Sequence, residues 1–305
     1  MNAAMRLAGW VVLSLVWACG AWAQQRQEPP LAHDLREEIV HWPVTLQDAQ
    51  GRSEQKDLVL TLFRPPGKGP FPVVVLNHGR APTPQARAAQ ARTRFERVSR
   101  YWVAQGFAVI LPSRVGYGPQ ADDFDPEFTG SCDKPQHAVV AKAASDQVLA
   151  AMAFAGTQAD LDVTHWLVAG QSVGGLTAIA TVARQPEGLL GGINFSGGTG
   201  GNPELRPGQP CAVQALADLW RQQAAQSRVP MLWLYWENDR FWGDKIPRVW
   251  HQAWLDGGGR AEFHQLPPVG SDGHNGMNQD MVAWTPLAHR FIQTLGFKFA
   301  NPQTP

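Results

Sequence analysis

From about residue 70 onward, short apolar runs alternate with longer segments of helical character. Ahead of that point, 39–46 and 58–63 predict an antiparallel strand pair, with the turn supplied by 48–53. The continuous run Pro72-Val73-Val74-Val75-Leu76 predicts a strand buried on both faces. Residues 92–104 have helical spacing, with Phe95, Val98, Trp102 and Val103 on one side. A strand at 107–111, a long loop rich in Gly, Pro and Asp at 112–135 and an Ala-rich helix at 137–154 follow. The apolar run 165–169 and the small-residue stretch 175–183 predict the next strand and helix. Further strands are expected at 190–195, 230–236 and 261–266, and helices at 213–226, 245–255 and 282–295. A second long loop covers 196–210. Right-handed crossovers turn this alternation into an α/β fold, a mostly parallel central sheet with helices on both faces. Ligands of such sheets bind beyond the carboxyl ends of the strands.

At 305 residues, 44% hydrophobic and 17% charged, the chain is long enough for one large core. The net charge is zero, with no basic stripe, which argues against a nucleic-acid partner. The N-terminus has the pattern of an export signal: Arg6, an apolar stretch over 7–18, and small residues at Ala21 and Ala23. Cleavage after Ala23 would leave a periplasmic or secreted bacterial protein with no stable membrane insertion. A lipoprotein modified at Cys19 is the minor alternative, disfavoured by the bulky Trp17 in the box. The expected organisation is a signal peptide over 1–23, an arm and first strand over 24–54, a main domain over 55–297 and a tail over 298–305. Export leaves Cys132 and Cys211, and an oxidising compartment favours their pairing.

The chemistry centres on Gly170-Gln171-Ser172-Val173-Gly174, at the strand-to-helix junction. A serine at the tip of such a turn is exposed for attack, and glycines two residues either side avoid collision with neighbouring elements. A serine hydroxyl needs a base, and the base needs an orienting carboxylate. Where the chain order is serine, acid, histidine, the acid follows a later strand, and Glu237-Asn238-Asp239 stands after 230–236. Asp239 is the preferred acid and Glu237 its rival. Of nine histidines, His274 follows the last strand in a glycine-rich loop that would let the imidazole swing over the serine. Val173 and Arg80 are the expected backbone donors of an oxyanion hole. Trp236 and Trp242 are candidate substrate-pocket aromatics, alongside Tyr235 and Phe241. No spacing suggests a metal site, and no cofactor is implied.

Together, Asn77-His78-Gly79, Ser113-Arg114-Val115-Gly116-Tyr117-Gly118, the serine pentapeptide, Glu237-Asn238-Asp239 and Gly273-His274 resemble the α/β-hydrolase superfamily. The resemblance covers about 55–297 and lies toward its dienelactone-hydrolase-like and prolyl-oligopeptidase-like branch. Dienelactone hydrolases use cysteine where this chain has Ser172, and their acid turn often begins with glycine where this chain has Trp236. The resemblance therefore implies a serine hydrolase of esters, with amides the less favoured substrates, rather than a dienelactone hydrolase proper. A peptidase or acyltransferase with the same triad is the alternative, as is an inactive hydrolase-fold binding protein.

Overall fold

The computed structural model describes residues 29–118 and 121–297. The expected signal segment, Cys19 and the tail at 298–305 lie outside the described residues. Eight strands form one sheet: β1 (Glu38–Gln47), β2 (Ser53–Phe63), β3 (Phe71–Asn77), β4 (Ala108–Ser113), β5 (Leu161–Gln171), β6 (Leu189–Phe195), β7 (Met231–Trp236) and β8 (Ala261–Leu266). Their order is β1-β2-β4-β3-β5-β6-β7-β8. The β1–β2 and β2–β4 pairs are antiparallel, and every pairing from β4 to β8 is parallel. β5, which delivers the serine, is thus central, flanked by β3 and β6.

The unbroken apolar runs arise because the central strands are covered on both faces. Successive side chains alternate between those faces. Val73, Val75, Trp233 and Tyr235 enter one core, beside α3 (His137–Ala155), α4 (Val173–Arg184), α5 (Val213–Ala224) and α6 (Ile246–Asp256). Val74, Leu76, Leu232, Leu234 and Trp236 enter the other, beside α2 (Glu96–Ala104) and α8 (Met281–Thr294).

The helix expected from residue 92 begins only at Glu96. Thr93 N–H bonds Ser113 Oγ at 2.9 Å, and the Arg92 and Arg94 guanidinium groups close on the buried Glu37 carboxylate. Phe95 then has φ of 38°, a left-handed conformation that cannot continue a helix. The short helices α1 (Pro84–Ala88) and α7 (Gly276–Gln279), and the 3₁₀ turn Gly273–Asn275, are too brief for periodicity to reveal.

Candidate active site

Ser172 sits between β5 and α4 with φ of 60° and ψ of −124°, a backbone conformation rarely adopted outside glycine. The turn is held by bonds from Ser172 N–H to Phe195 O at 3.0 Å and from Gly198 N–H to Ser172 O at 3.2 Å. The two flanking glycines are steric necessities. A Cβ at Gly170 would strike the Gly174 backbone, and one at Gly174 would strike the Asn77 and His78 carbonyls. The tight contact is therefore between the two ends of the elbow and the end of β3, which carries the expected oxyanion loop.

Asp239 and His274 meet although 35 residues apart. His274 Nδ1 lies 3.0 and 3.1 Å from the two Asp239 carboxylate oxygens. Asp239 Oδ1 also accepts from the Phe241 and Trp242 N–H groups, at 2.8 and 3.1 Å. Both side chains are buried, so these donors replace the water that the carboxylate loses. Glu237 is exposed, and the carboxylate bonded to the histidine is that of Asp239. His274 and Ser172 line a common cavity of about 480 Å³. No direct hydrogen bond joins their side chains; such bonds commonly tighten only when substrate binds.

The His274 loop is held, not free to swing. Asp272 Oδ1 accepts the His274 N–H at 2.9 Å, and Gln171 Nε2 donates to the His274 carbonyl at 2.6 Å. Asn238 stitches the loop through Val269 N–H and the Val269 and Gly270 carbonyls. The Phe241 ring stacks on the imidazole at 3.9 Å between centroids. Gly273 and Gly276 serve packing: a Cβ at either position would run into Trp236.

On the other side of Ser172, the Val173 N–H opens α4, where no intrahelical acceptor exists. Among the described residues neither it nor the Arg80 N–H bonds a protein acceptor. A Cβ at Gly79 would stand 3.1 Å from Ser172 Cβ, which shows how closely this loop approaches Ser172. The Arg80 guanidinium is paired with both oxygens of Asp125, which Arg87 also contacts at 3.1 Å.

No sequence-family profile and no curated protein matches the chain. Solved structures do. A puromycin-hydrolyzing peptidase of Mycobacterium tuberculosis is similar with a TM-score of 0.58 at 16% identity, over 88% of this chain and 41% of that one. A Klebsiella pneumoniae protein named, provisionally, a dienelactone hydrolase is similar with a TM-score of 0.54 at 18% identity, over 86% of this chain and 100% of that one. An acylaminoacyl peptidase of Pyrococcus horikoshii gives 0.55 at 14% identity, over 84% of this chain and 41% of that one. The chain has the α/β-hydrolase fold. It spans less than half the length of the two peptidases.

In this α/β-hydrolase fold a second cavity, of about 440 Å³, opens beside Ser172 and Val173. Its walls include 129–132 and 198–202 from the two long loops, with Phe241 and Trp242. Trp242 lines the wall with its indole N–H bonded to Ser196 O at 2.7 Å. Trp236, expected against substrate, lines neither cavity. It lies on the opposite face of β7 from Trp233 and Tyr235, under the His274 loop, with its indole N–H bonded to Asp280 at 2.8 Å. Sequence reasoning missed Gln171, Asp272 and the Phe241–imidazole stack; the first and last depend on contacts between segments remote in the chain, whereas Asp272 acts locally, two residues before His274.

Cys132 and Cys211 form a disulfide with a Cα–Cα distance of 5.3 Å, clamping the two long loops together at this cavity. Replacing both with serine is expected to lower stability toward urea by about 2–4 kcal/mol. The same variant should raise KM more than it lowers kcat, because the walls loosen while the Asp239–His274 pair stays intact. A fall in kcat at unchanged KM would contradict that division.

Proposed function

We propose that this protein is an exported serine hydrolase of carboxylic esters. Ser172 attacks the ester carbonyl, and His274 takes its proton and returns it to the leaving alcohol. Asp239 holds the imidazole with Nδ1–H bound and Nε2 free to act as base. The Val173 and Arg80 N–H groups receive the oxyanion, and water releases the acyl group through a second tetrahedral intermediate. The observation that carries this reading is the joining of Asp239 to His274, a residue that lines the same cavity as Ser172. The two cavities flanking Ser172 give room for the acyl and alcohol portions on either side.

An alkyl fluorophosphonate tests the reading directly. The mature protein is expected to be labelled covalently at Ser172, located by peptide mass spectrometry. An inactive binding protein would remain unlabelled, and that result would remove the hydrolase reading. Amide hydrolysis is the second reading, favoured by the likeness to two peptidases. Short aminoacyl anilides measured beside p-nitrophenyl esters discriminate the two, and acyl transfer to hydroxylamine reports acyltransferase activity. Export is a proposal from the N-terminal pattern, checked by mass spectrometry of the mature terminus; a lipid-modified Cys19 would replace it.

A further inference from the structure

Arg114 and Glu127 are fully buried, and neither hydrogen-bonds Ser172, Asp239 or His274 or lines either of the two cavities beside Ser172. Arg114 Nε donates to Glu127 Oε1 at 2.7 Å. Gln147 Nε2 donates to the same oxygen at 3.0 Å, and Tyr117 O–H to Oε2 at 3.2 Å. Burial, together with the Glu127 charge, pushes the Tyr117 phenol up to about 12, so it remains a donor. Among the described residues, Arg114 Nη2 is buried with no hydrogen-bond partner. An ion pair that leaves a donor unsatisfied is a poor device for stability alone, since apolar residues of similar volume often serve as well or better.

What the pair does hold is the chain leading to the oxyanion hole. Arg114 Nη1 donates to the His78 carbonyl at 2.8 Å, which fixes the peptide unit between His78 and Gly79. The Arg114 backbone N–H donates to His78 Nε2 at 3.1 Å. That nitrogen is therefore an acceptor, and the imidazole proton resides on Nδ1. Burial, and next the Arg114 charge, hold the His78 imidazole well below the ordinary histidine range, consistent with this neutral tautomer. His78 Nδ1–H donates to the Gly79 carbonyl at 2.6 Å, which fixes the peptide unit between Gly79 and Arg80. In a trans peptide the N–H points opposite the carbonyl. Pinning Gly79 C=O thereby sets the direction of the Arg80 N–H, beside Ser172.

We propose that Arg114, held by Glu127, is a positioning residue that aims the oxyanion-hole N–H of Arg80 by fixing the two peptide units ahead of it. The inference rests on the serine-hydrolase reading above. It also gives the first long loop a role beyond its wall, since Glu127 stands just before the 129–132 segment that lines the substrate cavity.

The test removes both charges at once, in Arg114→Met/Glu127→Gln, so that no unpaired charge is left buried; the amide oxygen still accepts from Gln147, and the amide N–H donates to the Tyr117 hydroxyl in place of the bond that hydroxyl gave. The expected result is a variant that unfolds near the wild-type temperature, with kcat for a p-nitrophenyl ester reduced roughly 10- to 100-fold. That is a fraction of what loss of a whole oxyanion donor typically costs. KM should stay within about twofold, and inhibition by an alkyl boronic acid, whose tetrahedral adduct places an oxygen in the hole, should weaken by a similar factor to kcat. A folded double variant with kcat within threefold of wild type, or with a loss in KM alone, would overturn the proposal. If the double variant does not fold, the other end of the relay decides. His78→Ala should lose kcat, and His78→Asn, whose amide N–H replaces Nδ1–H, should recover most of it. Equal kcat in these two variants would count against the relay. Ser172→Ala, assayed alongside, separates the two levels of inference. Turnover that survives that change rejects the hydrolase reading, whereas loss there with a fully active double variant rejects the relay alone.

Discussion

Replacing Ser172 with alanine is expected to reduce kcat on short p-nitrophenyl esters by about 10⁵- to 10⁶-fold, the scale seen when a triad nucleophile is removed. The fold should tolerate the change. Ser172 Oγ makes no hydrogen bond among the described residues, so its loss orphans no buried partner. The strained φ of 60° is held by two backbone bonds that alanine retains, Ser172 N–H donating to Phe195 O and Gly198 N–H donating to Ser172 O. Alanine and serine also share the same Cβ, the atom that approaches the Gly79 backbone. The unfolding temperature should therefore move by only a few degrees, which circular dichroism would record. What remains of the activity reports the Val173 and Arg80 N–H groups acting on bound ester without a nucleophile. A purified Ser172→Ala protein that turns over within tenfold of wild type would place the reaction elsewhere.

The features that the sequence made legible are those imposed locally. Gly170 and Gly174 are required by clashes within a five-residue turn and the adjoining end of β3, so the motif carries its own geometry. The strands β3, β4 and β7 announce themselves as unbroken apolar runs because both faces are covered. The same property hid the role of Trp236. In Met231-Leu232-Trp233-Leu234-Tyr235-Trp236 every position is apolar, so no alternation shows which face each residue takes. Only the observed parity sends Trp236 beneath the His274 loop and away from the two cavities beside Ser172.

Contacts that close over long separations were also silent. The glycines around His274 suggest freedom, but their need comes from Trp236, some 40 residues earlier. Gln171 reaches 103 positions ahead to the His274 carbonyl. Arg114 and Glu127 lie in a loop without periodicity, where a charged pair looks solvated until a core closes around it. The start of α2 shows the same effect on a smaller scale, where ion pairs to Glu37 outweigh the helical preference of 92–95.

The second large effect is expected from Asp239→Asn, with kcat lowered by roughly 10³- to 10⁴-fold and stability nearly unchanged. The reason lies in which atoms the carboxylate serves. Its Oδ1 accepts two backbone N–H groups, from Phe241 and Trp242, and an asparagine amide oxygen can accept both. The amide nitrogen would then face His274 Nδ1. Two donors cannot share that contact, so the imidazole moves its proton to Nε2 and presents N–H, not a lone pair, to Ser172. The site keeps its shape and loses its base. Asp239→Ala differs in kind: it also strands the two backbone donors in a buried turn, at about 1–3 kcal/mol for each unsatisfied group. The exposed Glu237 provides the control, and Glu237→Gln should leave kcat within about twofold. Steady-state kinetics with thermal unfolding on the three variants separates these cases. An Asp239→Asn enzyme retaining a tenth or more of wild-type kcat would show that His274 is oriented by something other than this carboxylate.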